Sequence, residues 1–84
     1  MVGEIIYTRK FERAMRKIRD ASVAHRVKTQ IEEIISRPDI GKPLAHDMKG
    51  ERSCWVPPFR IVYSYFQNRL IFLNFRNRDD VYSH

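Results

Sequence analysis

Cysteine is nearly missing from this chain. Of 84 residues only Cys54 carries a thiol, which excludes an internal disulfide framework and a thiolate metal site. Beside Trp55, this thiol reads as a small packing residue and not as a nucleophile. Glycine is scarce, with three residues, and no glycine-rich phosphate loop is present. No run of about 18 apolar residues occurs, so no helical membrane span is expected. The opening Met-Val-Gly-Glu lacks a secretory signal pattern, and the protein is expected in the cytoplasm. Asp79 and Asp80 adjoin, but no further carboxylate is spaced to complete a metal site, and no metal or cofactor is expected. No Ser/His/Asp arrangement stands out. Negative charge is also in short supply. Ten acidic residues face sixteen Lys and Arg, for a net charge of +6. That excess favours polyanionic partners, nucleic acid or an acidic protein segment, over a purely solubilising surface.

What remains is enough for one small domain spanning residues 1–84. Chains of this size bury about 60–65% of their unfolded surface, so a partner can add materially to stability. Glu4-Ile5-Ile6-Tyr7 predicts a short strand. Thr8 follows as an N-cap, and Phe11, Ala14, Met15 and Ile18 recur at helical spacing. Arg9, Arg13, Arg16 and Lys17 occupy the rest of that helix surface. Asp20 predicts a second cap. Behind it Val23, Ala24, Val27, Ile31, Ile34 and Ile35 define an amphipathic helix that Arg37-Pro38 ends. Two helices so close in sequence predict a hairpin.

Residues 38–50 read as an irregular connection carrying Lys42, His46, Asp47 and Lys49. Strands resume near Arg52. Pro57-Pro58 predicts a turn, residues 59–66 a strong strand, Gln67-Asn68 a tight turn, and residues 70–75 a returning strand. The predicted fold class is α+β, in the order β-α-α-β-β-β. The helical hairpin covers one face of a small, mainly antiparallel, twisted sheet. Arg52, Arg60, Arg69, Arg76 and Arg78 thread these strands between Trp55, Phe59, Ile61, Tyr63, Phe72, Phe75 and Tyr82. Period-two alternation then gives one apolar face and one basic, open face suited to phosphate.

Several segments together resemble the RelE/ParE toxin superfamily of type II toxin–antitoxin systems. They are the element order, "MKG" before the second strand, "FRIVYSY", and the closing "FRNRDDVYS". "FRIVY" is similar to the family's aromatic-Arg-aliphatic-aliphatic-Tyr strand, and "RNRDDVY" resembles its closing His-or-Lys-Arg-x-x-x-Val-Tyr segment. The similarity covers nearly the whole chain and is most specific in its last third. In RelE-type members it implies a ribosome-dependent, metal-independent endoribonuclease, an mRNA interferase that cuts messenger RNA in the ribosomal A site. There the ribose 2′-hydroxyl attacks its own phosphate. ParE-type members inhibit DNA gyrase instead, and a degenerate toxin would only bind its antitoxin. Either way the resemblance implies a cognate antitoxin partner and no membrane.

Carried onto this chain, the resemblance assigns Arg60 to charge stabilisation at the phosphate. Arg76 would contact the scissile phosphate or the leaving oxygen. Tyr82 would assist proton transfer or orient a base, although a packed terminal aromatic is an equal reading. Lys49, Arg52, Trp55 and Arg78 would bind RNA, with Trp55 as a stacking platform. Arg9, Arg13, Arg16 and Lys17 would meet ribosomal RNA. The chain departs from the family where basic residues usually stand five and seven positions before Arg60, because Trp55 and Ser53 stand there. His46 and His84 titrate in a useful range, but a loop position and a chain end speak for solvated residues. His25 is expected on an exposed helix face.

Overall fold

The computed structural model of the chain describes residues 2–44 and 50–77. Strand β1 (Glu4–Tyr7) leads into helix α1 (Arg9–Arg16), and helix α2 (Ala21–Ser36) follows after four residues. Strands β2 (Lys42–Pro43), β3 (Glu51–Val56), β4 (Phe59–Phe66) and β5 (Arg69–Asn77) complete the fold. The five strands form one sheet in the order β1-β5-β4-β3-β2. β1 runs parallel to β5, and the other pairs are antiparallel. The predicted order lacked β2. Two residues are too few to show a period, and a proline is tolerated there because β2 lies at the sheet edge.

Local chemistry sets the element ends. The Asp20 carboxylate accepts hydrogen bonds from the Ser22 and Val23 amides at 2.8 and 3.2 Å. Those bonds, the Val23 one foremost, hold its carboxyl below the ordinary value. Arg37, forced away from helical geometry by Pro38, ends α2 at φ −139° and ψ 82°. Gln67 and Asn68 both adopt positive φ, the geometry of the tight hairpin turn that best matches strand twist.

The helices cover one face of the sheet. Phe11 from α1 stacks on Phe75 at 4.5 Å and lies 5.2 Å from Phe72. Val23, Val27, Ile31 and Ile34 of α2 join Val56, Ile61, Tyr63 and Leu70 in the same core. Ala14, Met15, Ile18 and Ile35 pack at its margin.

One irregularity decides which residues face where. Tyr63 pairs with Phe72, yet its neighbour Val62 pairs with Asn74, so Leu73 is an extra residue in β5. Strict alternation from Phe72 would send Arg76 to the helix side. The bulge instead brings Phe75 into the core and turns Arg76 to the opposite face, where it pairs with Arg60. Thr8 holds this bulge. Its Oγ1 accepts the Phe11 amide at 3.1 Å, capping α1, and its hydroxyl lies 3.0 Å from both the Phe72 and the Leu73 carbonyl oxygens. The Thr8 amide donates to the Phe72 carbonyl as well, at 3.2 Å.

Thr8→Ala removes the cap and the tie to the bulge together. Loss of an N-cap side chain costs about 1–2 kcal/mol, which in a domain of this size lowers Tm by about 5–10 °C. Thermal denaturation followed by far-ultraviolet circular dichroism checks this, and Thr8→Ser should retain most of the stability.

Candidate functional site

On the face away from the helices, register places three side chains in one row across three strands. Trp55 of β3 pairs with Arg60 of β4, which pairs with Arg76 of β5. Paired residues project to the same side of a sheet. The Arg60 guanidinium carbon lies 6.0 Å from the Trp55 ring centroid, in cation–π range. This arrangement has a chemical consequence. A ring face can hold a guanidinium without consuming its N–H donors, which leaves them for an anion. Trp55 is 46% exposed, far more than a core aromatic, which leaves ring surface for a planar partner.

The next row contains Lys42, Ser53, Val62 and Asn74. Ser53 and Val62 are buried and form the floor of this face, while Lys42 is exposed at its rim. Farther along, Glu4 and Arg69 pair at 3.0 Å on the same side. The ion pairs among the described residues are that one and Glu33–Arg37 at 3.7 Å on α2. Neither uses Lys42, Arg60 or Arg76. Lys42, Arg60 and Arg76 thus share one face outside both of those ion pairs, with Glu51 of β3 on the same side.

The structure brings Trp55, Arg60 and Arg76 together, but it separates Arg52 from them. Arg52 pairs with Tyr63, whose ring lies in the helix-side core, so Arg52 points to that side of the sheet. Its Nη1 donates to the Asp39 and Gly41 carbonyl oxygens at 3.0 and 2.8 Å. Alternation along β3 is the reason: Ser53 and Trp55 take the basic face, and Arg52, Cys54 and Val56 take the other. The geometry gives Arg52 a tethering task on the helix side, away from the row of Trp55, Arg60 and Arg76 where contact with RNA was expected of it.

Tyr63 completes that tether. Its hydroxyl donates to the Pro38 carbonyl at 2.7 Å and accepts the Gly41 amide at 2.8 Å. Gly41 is thus held at both its N–H and its C=O. It must also be glycine, because a Cβ there would collide with the Tyr63 hydroxyl. Burial pushes the Tyr63 phenol up to about 12, so it stays a protonated donor. Burial, with Glu33 adding to it, raises the Cys54 thiol as well, consistent with a packing residue.

The remaining expected residues divide by place. Lys49, Arg78 and Tyr82 lie outside the described residues, as do His46, His84, Asp79 and Asp80. His25 is exposed on α2, and Arg9, Arg13, Arg16 and Lys17 are exposed on and beside α1. Lys42 is the residue whose position the sequence did not disclose. It read as part of an irregular connection, and only pairing with Ser53 places it on the basic face.

With this geometry in place, the likeness to known proteins is specific. Residues 5–82 match the family model described as the ParE toxin of type II toxin–antitoxin systems, parDE. No protein of curated function matches the sequence. Among solved structures, the fold resembles the RelBE2 toxin–antitoxin complex of Mycobacterium tuberculosis, with a TM-score of 0.72 at 20% identity. That alignment covers 93% of this chain and 100% of the other. The RelB–RelE complex of Methanococcus jannaschii gives a TM-score of 0.75 at 15% identity, covering 94% and 96%. YafQ of Escherichia coli gives 0.68 at 19% identity, covering 94% and 97%.

The Tyr63 tether has a pH signature. Folding raises this phenol from its ordinary value near 10 to about 12. Its contribution is therefore complete below pH 10 and is lost as pH climbs through 12. Tyr63→Phe leaves the Pro38 carbonyl and Gly41 amide unpaired and should cost about 1–3 kcal/mol at neutral pH. In urea titrations, the advantage of wild type over Tyr63→Phe should shrink between pH 10 and 12.

Proposed function

Because the chain belongs to the ParE toxin family of type II toxin–antitoxin systems, within the RelE/ParE toxin superfamily, we propose that it arrests growth by cutting messenger RNA on the ribosome. The protein is a toxin of such a system. The observation that carries the nuclease reading is the row Trp55–Arg60–Arg76, two arginines and a stacking surface aligned across adjacent strands.

Cleavage of RNA by its own 2′-hydroxyl needs little covalent chemistry from a protein. The hydroxyl gives up its proton to a base as its oxygen bonds the neighbouring phosphorus, negative charge builds on the non-bridging oxygens, and the bond to the 5′-oxygen breaks, leaving a 2′,3′-cyclic phosphate and a 5′-hydroxyl that has taken a proton. Arg60, gripping two of those oxygens, stabilises the charge where it develops. Arg76, opposite Arg60, supports the phosphate or the leaving oxygen. Trp55 stacks on a base and fixes the nucleotide beside the pair. Tyr82 supplies or accepts a proton, and Lys49 and Arg78 add phosphate contacts. Antitoxin pairing follows from the same family membership, and the exposed α1 cations meet ribosomal RNA.

A second reading, inhibition of DNA gyrase, is favoured by the family match itself and by Ser53 and Trp55 at positions that are basic in nuclease relatives. Primer extension on a reporter mRNA in a reconstituted translation system separates the two. The expected result is ribosome-dependent cuts by wild type, reduced about a hundredfold or more in Arg60→Ala. A folded toxin that makes no cuts but inhibits supercoiling by purified gyrase would replace the nuclease reading with the second one.

A further inference from the structure

We propose that Lys42 is a phosphate-binding residue of the basic face, reaching it from the neighbouring strand opposite Ser53. The inference rests on the RNA-cutting reading for its catalytic consequence and on RNA binding for its placement. Three observations carry it. Lys42 pairs directly with Ser53, so its side chain leaves the sheet on the same side, one row from Trp55, Arg60 and Arg76. Lys42 is exposed, and neither ion pair among the described residues involves it.

The third observation is the care with which the preceding residue is fixed. Gly41 is gripped at its amide by Tyr63 and at its carbonyl by Arg52. Pro43, the next residue, confines Lys42 to extended geometry. Beyond it, the Leu44 amide donates to the Glu51 carbonyl at 3.1 Å. A two-residue edge strand has little stability of its own. Here a buried phenol and an arginine lock it to the sheet, and the one side chain it presents to the basic face is a lysine. Arg52 thus acts on the face through Lys42, as a positioning residue.

The geometry also explains why a serine suffices at position 53. Ser53 is 5% exposed and serves as floor. A cation entering from the neighbouring strand reaches the row above it without occupying that floor. Lys42 and Arg60 then flank Trp55 from two sides, able to hold the phosphates before and after a base stacked on its ring.

The test uses the intact toxin in two assays. In the first, binding of a short single-stranded RNA with 2′-O-methyl riboses, which cannot be cut, is titrated against salt. Lys42→Ala should flatten the slope of log K against log salt by about 0.7, the share of one phosphate contact on a single strand. Lys28→Ala, an equal loss of charge on the exposed surface of α2, should leave the slope unchanged, and Lys42→Arg should keep it. In the second, primer extension with ribosomes should show about tenfold less cutting by Lys42→Ala. Lys42→Arg, which keeps a charge at that place, should cut as wild type does. An unchanged slope in folded Lys42→Ala overturns the proposal, as does a wild type that binds no RNA at any salt. A wild type that makes no cuts but loses slope on Lys42→Ala keeps the placement of Lys42 and removes only the nuclease reading.

Discussion

Leu73 is one residue more than its partner strand can pair, and the arrangement of both sheet faces follows from it. Before the bulge, Leu70 and Phe72 face the helices. After it, Phe75 does, and Arg76 turns outward beside Arg60. A regular strand would have buried a guanidinium against Phe11 and pushed a phenylalanine into solvent, each at a cost of several kcal/mol. The bulge stays in place because Thr8 joins it to the first turn of α1. Capping a helix, closing the parallel β1–β5 contact and orienting a site arginine are thus linked through one hydroxyl.

The two faces use aromatic rings for different ends. On the helix side Phe11, Phe72, Phe75 and Tyr63 fill the space between layers, and the Tyr63 hydroxyl finds two partners because a buried phenol left unpaired would be costly. On the other side Trp55 stays half in solvent and contacts a cation. A solvent-facing tryptophan beside two arginines is poor packing but a good surface for a nucleobase and its phosphates. Arg52 shows the opposite outcome. It is basic and sits in the same strand, yet parity sends it to the helix side, where two carbonyls accept from its Nη1.

Family membership and site geometry address different levels. The match over residues 5–82 and the shared fold make the chain a toxin of a type II toxin–antitoxin system. The proposed target contact lies with the side chains of the basic face. There two arginines stand in register, and a lysine joins them from a neighbouring strand. A lysine that arrives from β2 is invisible to any count along β3.

Much of the fold was legible because it depends on short-range chemistry. The Glu4–Tyr7 strand, the Thr8 and Asp20 caps, the stop at Arg37-Pro38 and the turns at Pro57-Pro58 and Gln67-Asn68 are local preferences of backbone and side chain. The apolar periodicities of both helices likewise announced which residues meet the sheet. Arg60 could be placed from alternation alone, between Phe59 and Ile61. Three features could not. The bulge at Leu73 requires knowing which residue of β4 lies opposite. The diversion of Arg52 requires the carbonyls of residues 39 and 41 to arrive beside it. The position of Lys42 requires a two-residue strand too short to carry a period. The sequence by itself determined the helices, the longer strands and their charge, because propensity and alternation act within a few residues. Tertiary structure alone decided which cations share a face, because register is fixed by partners distant along the chain.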